Sequence, residues 1–282
     1  MPSAAALITD SSACIPRPLL RRHDIRVVPI QVAVGGEDFR DGVNLDRRKL
    51  YSALERGEAV KSSAPSPLDY LDAIEAVPED VTPVIVTPAA EFTRMHQNAG
   101  LAAELSGRRV TVVDSRSATA GHGLVVLAAA EAGRRSGAVD DVVAAAEDAA
   151  GRAELVACME SLERLRQSGR LPAMAIGLAN HLGVRPVFRM RQGTAERLGL
   201  PRTEDSALAR VVREWRAGGG LSAESVAVFH AGRPERASKL AALLGGRASF
   251  TTEFSAAMAI HTGPGVTGVA WLRAPDLDPE LL

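Results

Sequence analysis

The sequence predicts an α/β protein made of two α/β domains, the first with a mostly parallel sheet flanked by helices. Three observations carry that expectation. Short apolar runs of strand length alternate with Ala-rich amphipathic stretches of helix length, the order that gives a parallel sheet with helical crossovers. The chain has 282 residues, and at roughly 150 residues per domain two domains are the natural division. The pattern also changes character past the middle, where hairpin-like spacing replaces strict alternation. The expected boundary lies within 151–159, giving domains 1–155 and 156–282.

Each element has a local reason. Residues 4–9 form an apolar run that reads as a buried strand, ended by Asp10-Ser11-Ser12, which is helix N-cap chemistry. A short helix follows, with Pro16 and Pro18 in its first turn. Residues 25–34 read as one strand stopped by Gly35-Gly36, and 45–56 as a helix with Asp46 near its start. A Ser/Pro loop at 62–67 precedes a helix at 68–76. Strands are expected at 83–87 and 109–113, and helices at 119–134 and 139–150. In the second half, 155–159 is a strand and 161–167 a short helix broken by Ser168-Gly169. Residues 173–182 are apolar almost all round, which argues for burial. Residues 184–190 and 194–198 flank Arg191-Gln192-Gly193, a hairpin turn. A clear amphipathic helix at 205–215 stops at Gly218-Gly219-Gly220. Strands at 225–230, 248–254 and 266–271, with a helix at 235–244, complete the chain.

Composition excludes several function classes. Lys+Arg total 33 and Asp+Glu 34, so there is no basic field for nucleic acid. Only 4% of residues are aromatic, which leaves no stacking platform for single strands and a core of Ala, Val and Leu. Cys14 and Cys158 are too few for a disulfide framework and fit no zinc spacing, and the six histidines form no metal set. No run approaches the roughly 20 apolar residues of a bilayer span, so no stable membrane insertion is expected. The apolar start is short and lacks a basic flank, so the expected compartment is the cytoplasm.

The chemistry gathers at strand ends. Thr9, Asp10 and Ser11 end the first strand, Thr87 and Thr93 follow another, and Asp114 and Ser115 end the next. Ligands of open α/β sheets bind outside the carboxyl ends of the strands, and each of these ends starts a helix whose N-terminus favours an anion. Ser, Thr and Asp are also ordinary N-caps, so a ligand site and plain capping both account for any one of them. A second cluster is His261-Thr262-Gly263-Pro264-Gly265, a histidine beside a tight turn. No phosphate-binding glycine loop, nucleophile elbow or zinc-binding His-Glu-x-x-His is present. The residues thus indicate a hydroxyl-lined anion pocket. A small-molecule enzyme, a phosphotransferase or hydrolase working through Asp10, Asp114 and His261, stands as the alternative.

Read together, these segments resemble the DegV family. Ile8-Thr9-Asp10-Ser11-Ser12-Ala13, Val27-Val28-Pro29-Ile30 and Phe39-Arg40-Asp41-Gly42 are similar to its opening motifs. Ser62-Ser63-Ala64-Pro65-Ser66 is similar to its Thr-Ser-x-Pro-Ser loop. Val113-Asp114-Ser115, Gly121-His122-Gly123, Ser168-Gly169-Arg170, Val184-Arg185-Pro186-Val187 and His261-Thr262-Gly263-Pro264-Gly265 follow in the family order along essentially the whole chain. The resemblance implies a ligand tunnel between the two domains that holds one long-chain fatty acid. It implies a bacterial carrier that is not itself an enzyme and needs no cofactor or metal. It also implies a partner, the separate kinase subunit of fatty acid kinase, which phosphorylates the bound carboxylate to an acyl phosphate for phospholipid metabolism. The carboxylate would meet Ser62, Ser63, Thr93 and His261, and Thr9, Asp10, Ser11, Arg94, Ser115, Thr262 and Arg170 would be further pocket or mouth residues. One departure stands out. Where the family has Ser-Gly-Thr this chain has Thr93-Arg94-Met95, so Arg94 either turns to solvent or pairs with the head group of a different anionic lipid. A lipid-sensing regulator is a third reading.

Overall fold

The computed structural model describes residues 4–160, 164 and 183–275. Apart from residue 164, the expected helix at 161–167 lies outside the described residues, as do the apolar segment 173–182 and Arg170.

The first half is a four-stranded, all-parallel sheet: β1 (Ala4–Asp10), β2 (Arg26–Val28), β6 (Val81–Thr87) and β7 (Thr111–Asp114), in the order β2-β1-β6-β7. The central strand β6 is buried along nearly its whole length, as a strand covered on both faces must be. Its Pro83 is tolerated because pairing with β7 begins only at Val84. The expected strand at 25–34 is in fact two. Pro29 lacks the N–H a ladder needs, so the chain leaves the first sheet there. It continues as β3 (Gln31–Val34) in a small antiparallel sheet with β4 (Glu37–Arg40) and β5 (Val60–Ser63). β4 and β5 are short and polar, and the sequence reading left them out. So too did it miss α4 (Met95–Leu105), which has Gly100 at its middle and no side-chain cap. The other helices of this half are α1 (Arg17–Arg22), α2 (Arg47–Glu55, capped by Asp46), α3 (Pro67–Glu75, with a Ser66–Asp69 capping box), α5 (Thr119–Ser136) and α6 (Val139–Arg152).

The second half is a six-stranded sheet. Its strands are β8 (Ala153–Cys158), β9 (Val187–Arg191), β10 (Thr194–Gly199), β11 (Ser225–His230), β12 (Phe250–Glu253) and β13 (Thr267–Leu272), in the order β10-β9-β8-β13-β11-β12. All its pairs are antiparallel except β11–β12. A division between 155 and 156 falls inside β8. α7 (Glu204–Ala217) and α8 (Pro234–Leu243) cover one face, where Val156, Val228, Val269 and Trp271 pack on Leu208, Trp215 and Leu240. The other face meets α5 and the first sheet in one core: Leu155, Ala157, Phe229 and Ala270 join Val84, Val86, Ala120 and Leu124. α9 (Ala256–Thr262), a fourth element missed from sequence, lies between β12 and β13 but packs Ala256, Ala259 and Ile260 on Val32, Val34 and Leu50 of the first half.

Candidate functional site

A cavity of about 890 Å³ lies where the strand ends of the parallel sheet meet the open face of the six-stranded sheet. That is the size of a small-molecule site. Alternation along the strands decides which residues face it. Leu155, Ala157 and Met159 of β8 and its extension, Phe188 and Met190 of β9, and Phe229 of β11 form an apolar floor. Register explains the floor's shape. Ala157 pairs with Phe188 on one side and Gly268 on the other, and Gly268 pairs with Phe229. The row therefore runs large, small, none, large. A Cβ on Gly268 would lie 2.5 Å from the Phe229 ring and 2.6 Å from the Val156 carbonyl, so only glycine lets that ring lie over the sheet. Phe229 in turn stacks on Phe254 at 5.4 Å.

One polar part of the lining comes from three elements. Ser62 of β5 and His261 of α9 meet at 2.9 Å between the hydroxyl and Nε2, although 199 residues separate them. Thr93 lines the cavity just before α4, and its hydroxyl accepts the Met95 N–H at 3.4 Å. Arg94 is exposed and lines the cavity, and its guanidinium has no ion-pair or hydrogen-bond partner among the described residues. Thr262 also lines it, its hydroxyl donating to the Met258 carbonyl at 2.9 Å.

α9 is held in place by Asp41. One carboxylate oxygen accepts from the Ala256 N–H at 2.9 Å and from the Ser11 hydroxyl at 3.2 Å, and the other pairs with Arg47 at 3.1 Å. The Ser255 side chain caps the same helix at the Met258 N–H. Beyond His261, Gly263 and Gly265 take positive φ. The turn is backed by Arg236, which donates to the Gly265 carbonyl at 2.7 Å and pairs with Glu160 at 2.8 Å and Glu204 at 2.9 Å. Burial pushes the Glu160 carboxyl up, but the Arg236 and Arg233 guanidiniums outweigh it and hold it below its ordinary value.

The remaining sequence-predicted residues lie elsewhere. Ser63 is exposed, because its neighbour Ser62 turns inward and successive strand residues face opposite ways. Thr9 is fully buried, donates to the Val86 carbonyl at 2.9 Å and lies 3.1 Å from His122 Nε2. Asp10 is fully buried, with its carboxyl pKa raised by that burial, and accepts from the Ser12 N–H and hydroxyl at 2.8 and 2.5 Å. Ser11 bridges Asp41 and the Ile30 N–H. Ser115 is buried within its own turn, bonded to Ser117. Asp114 accepts from the Arg116 N–H at 2.7 Å and the Ala90 N–H at 3.3 Å. None of these six residues lines the cavity, and Arg170 lies outside the described residues. Ser12, which the sequence places at the end of the first strand, does line it, as do two hydroxyls that the sequence reading passed over, Ser117 and Thr119. Each lies one to four residues past a residue it named, because the chain makes a further turn after each strand before it reaches the crevice. Both thiols are buried, and burial pushes Cys14 up to about 12 and Cys158 to about 11, so neither is a reactive thiolate.

Comparison with known proteins gives the family and the fold. Residues 4–274 match the family model described as uncharacterised protein, DegV family COG1307. A DegV domain-containing protein of Streptomyces coelicolor is 33% identical over 273 residues, covering 94% of this chain and 96% of its own length. One from Deinococcus radiodurans is 31% identical over 272 residues, covering 94% and 97%. Among solved structures, a DegV family protein from Thermus thermophilus, described as fatty acid binding, is 26% identical with a TM-score of 0.87, covering 96% of this chain and all of its own. The DegV fatty acid binding protein from Bacillus subtilis, 22% identical with a TM-score of 0.86, covers 96% of this chain and all of its own and shares the fold.

Proposed function

The chain belongs to the DegV family, and from that premise we propose that it is a fatty acid carrier whose cavity holds one long-chain fatty acid. The observation that carries this reading is the Ser62–His261 pair beside the apolar floor of a cavity of about 890 Å³. A buried carboxylate needs hydrogen bonds. Ser62, Thr93 and His261 can donate them without an ion pair that would quench its nucleophilicity. The acyl chain then supplies most of the affinity, at about 0.8 kcal/mol per buried CH₂. Ser63 stays at the rim in this reading, and Asp10, Ser11 and Asp41 act by holding the loops and α9 in place.

The carrier presents its bound carboxylate to a separate kinase subunit, which transfers a phosphoryl group from ATP to give the acyl phosphate used for phospholipid synthesis. It works in the bacterial cytoplasm, has no catalytic residues of its own, and its two halves are two domains that meet at the cavity. Against the enzyme alternative, of Asp10, Asp114 and His261 only His261 lines the cavity, and both carboxylates are used in local hydrogen bonds. The test is reconstitution with a bacterial fatty acid kinase subunit and ATP. Acyl phosphate should form from the loaded carrier and not from either protein alone. Turnover of an acyl ester or phosphate by this chain alone would sink the reading.

Arg94 favours a second reading of the ligand. A guanidinium on the cavity wall with no partner among the described residues suits a head group of higher charge than a carboxylate, such as a phosphorylated or dicarboxylated lipid. In that case affinity falls with salt, and Arg94→Ala removes the salt dependence.

A further inference from the structure

The cavity has a second polar place, away from Ser62 and His261. Ser117 and Thr119 both line it, at 1% and 3% exposure. Among the described residues neither hydroxyl has a hydrogen-bond partner. The Ser117 backbone, by contrast, is fully engaged: its N–H donates to Ser115 Oγ at 3.3 Å and its carbonyl accepts from Ala89 at 2.8 Å. Thr119 opens α5, an 18-residue helix whose N-terminus carries no side-chain cap. Its φ is +50°, a left-handed conformation unfavourable for a β-branched residue. Gly121 keeps the site open, since a Cβ there would strike the Ser117 hydroxyl. A strained, uncapped helix start with two buried hydroxyls that bond no group among the described residues is arranged for something else to bond.

Strand β8 gives the separation. A Cβ on Gly121 would also lie 3.4 Å from Leu155, so this place sits at the Leu155 end of the floor. The turn after His261 sits at the other end, where Gly265 packs against Glu160, next to Met159. Four residues of extended chain put Leu155 and Met159 about 13 Å apart. A fatty acid held by its carboxylate at Ser62 and His261 therefore reaches Ser117 and Thr119 with the middle or far part of its chain. A plain alkyl chain there would leave both hydroxyls unbonded.

We propose that Ser117 and Thr119 recognise a hydroxyl group on the acyl chain, so that the preferred ligand is a hydroxylated fatty acid. Two neutral hydroxyls can each donate and accept, which matches a ligand hydroxyl and places no second charge in the cavity. This inference rests on the carrier reading.

The experiment compares stearic acid with a positional series of monohydroxystearic acids, by calorimetric titration of the delipidated full chain. Wild type should bind at least one hydroxystearic acid roughly tenfold more tightly than stearic acid. Ser117→Ala with Thr119→Ala should abolish that advantage while binding stearic acid at least as tightly as wild type. Each single variant should lose part of it, which keeps the test open if the double variant folds poorly. If no hydroxystearic acid outbinds stearic acid, or if the preference survives both substitutions, this inference fails and the carrier reading stands. If wild type binds neither kind of acid, the carrier reading fails and the inference goes with it.

Discussion

The two faces of the six-stranded sheet are made by the same strands and are put to opposite uses. On one face Val156, Val228, Val269 and Trp271 interlock with Trp215, Leu208 and Leu240 of the covering helices. On the other, Ala157, Gly268, Ala270 and Ala227 occupy the centre, with aromatic rings only at the margins. Large side chains on the first face remove apolar surface from water. Small ones on the second let α5 lie close over Ala227 and Ala270 and leave room over Ala157 for a ligand. Alternating side-chain size along one strand thus separates stability from binding.

The largest effect is expected at Trp271, which is fully buried and donates its indole N–H to the Gly218 carbonyl at 2.9 Å. Trp271→Ala should cost about 3–5 kcal/mol of stability, measured by urea unfolding, and leave fatty acid stoichiometry unchanged in the fraction still folded. The converse is Ala157→Leu on the cavity face. It should weaken fatty acid binding by about 1–3 kcal/mol without lowering the stability of the empty protein, and an equal loss of stability would show that this face is ordinary core. At the polar end, His261→Ala or Ser62→Ala should weaken binding about tenfold to a hundredfold with little change in unfolding midpoint, read by fluorescent fatty acid displacement.

The packing of α5 on the parallel sheet has a pH signature. His122 is fully buried beside Thr9 and the Val86 carbonyl, and burial holds its pKa below the usual 6.5. The unfolded chain takes up that proton as pH falls through 6.5 and the folded chain does not, so stability declines as pH drops below that value. Asp10 acts with the opposite sign. Burial raises its carboxyl above the usual 3.8, so its contribution is largest at low pH and is lost as pH rises through the raised value. His122→Gln should make the decline below pH 6.5 shallower by up to about 1.4 kcal/mol per pH unit, and an unchanged slope would remove His122 from the explanation. The smallest effect is expected at Arg94. If the ligand is a simple fatty acid, Arg94→Ala changes affinity by less than about 1 kcal/mol, and a salt-dependent loss would indicate a more highly charged head group.

The elements most legible in the sequence were those with strong local chemistry. The parallel strands β1 and β6, the capped helices α2 and α3 and the Gln192-Gly193 hairpin all lie where patterning placed them. What was missed depends on distant contacts. α9 is a seven-residue helix fixed by Asp41, which lies 215 residues earlier in the chain, and no local pattern announces it. β4 and β5 are polar edge strands with little hydrophobic signal. The strand-end rule located the crevice but misplaced some of its residues. Ser115 and Thr9 cap and brace, while Ser12, Ser117 and Thr119 reach the cavity a turn later. His261 is legible from its place beside the Gly-Pro-Gly turn and Ser62 only through family resemblance, and their 2.9 Å contact is a product of tertiary packing.

The most direct test is native mass spectrometry of the recombinant chain, followed by lipid extraction and identification. A carrier should appear with one stoichiometric fatty acid per chain, or take one up when fatty acids are added to the empty protein. A chain that is empty and stays empty with every fatty acid offered would contradict the proposed function.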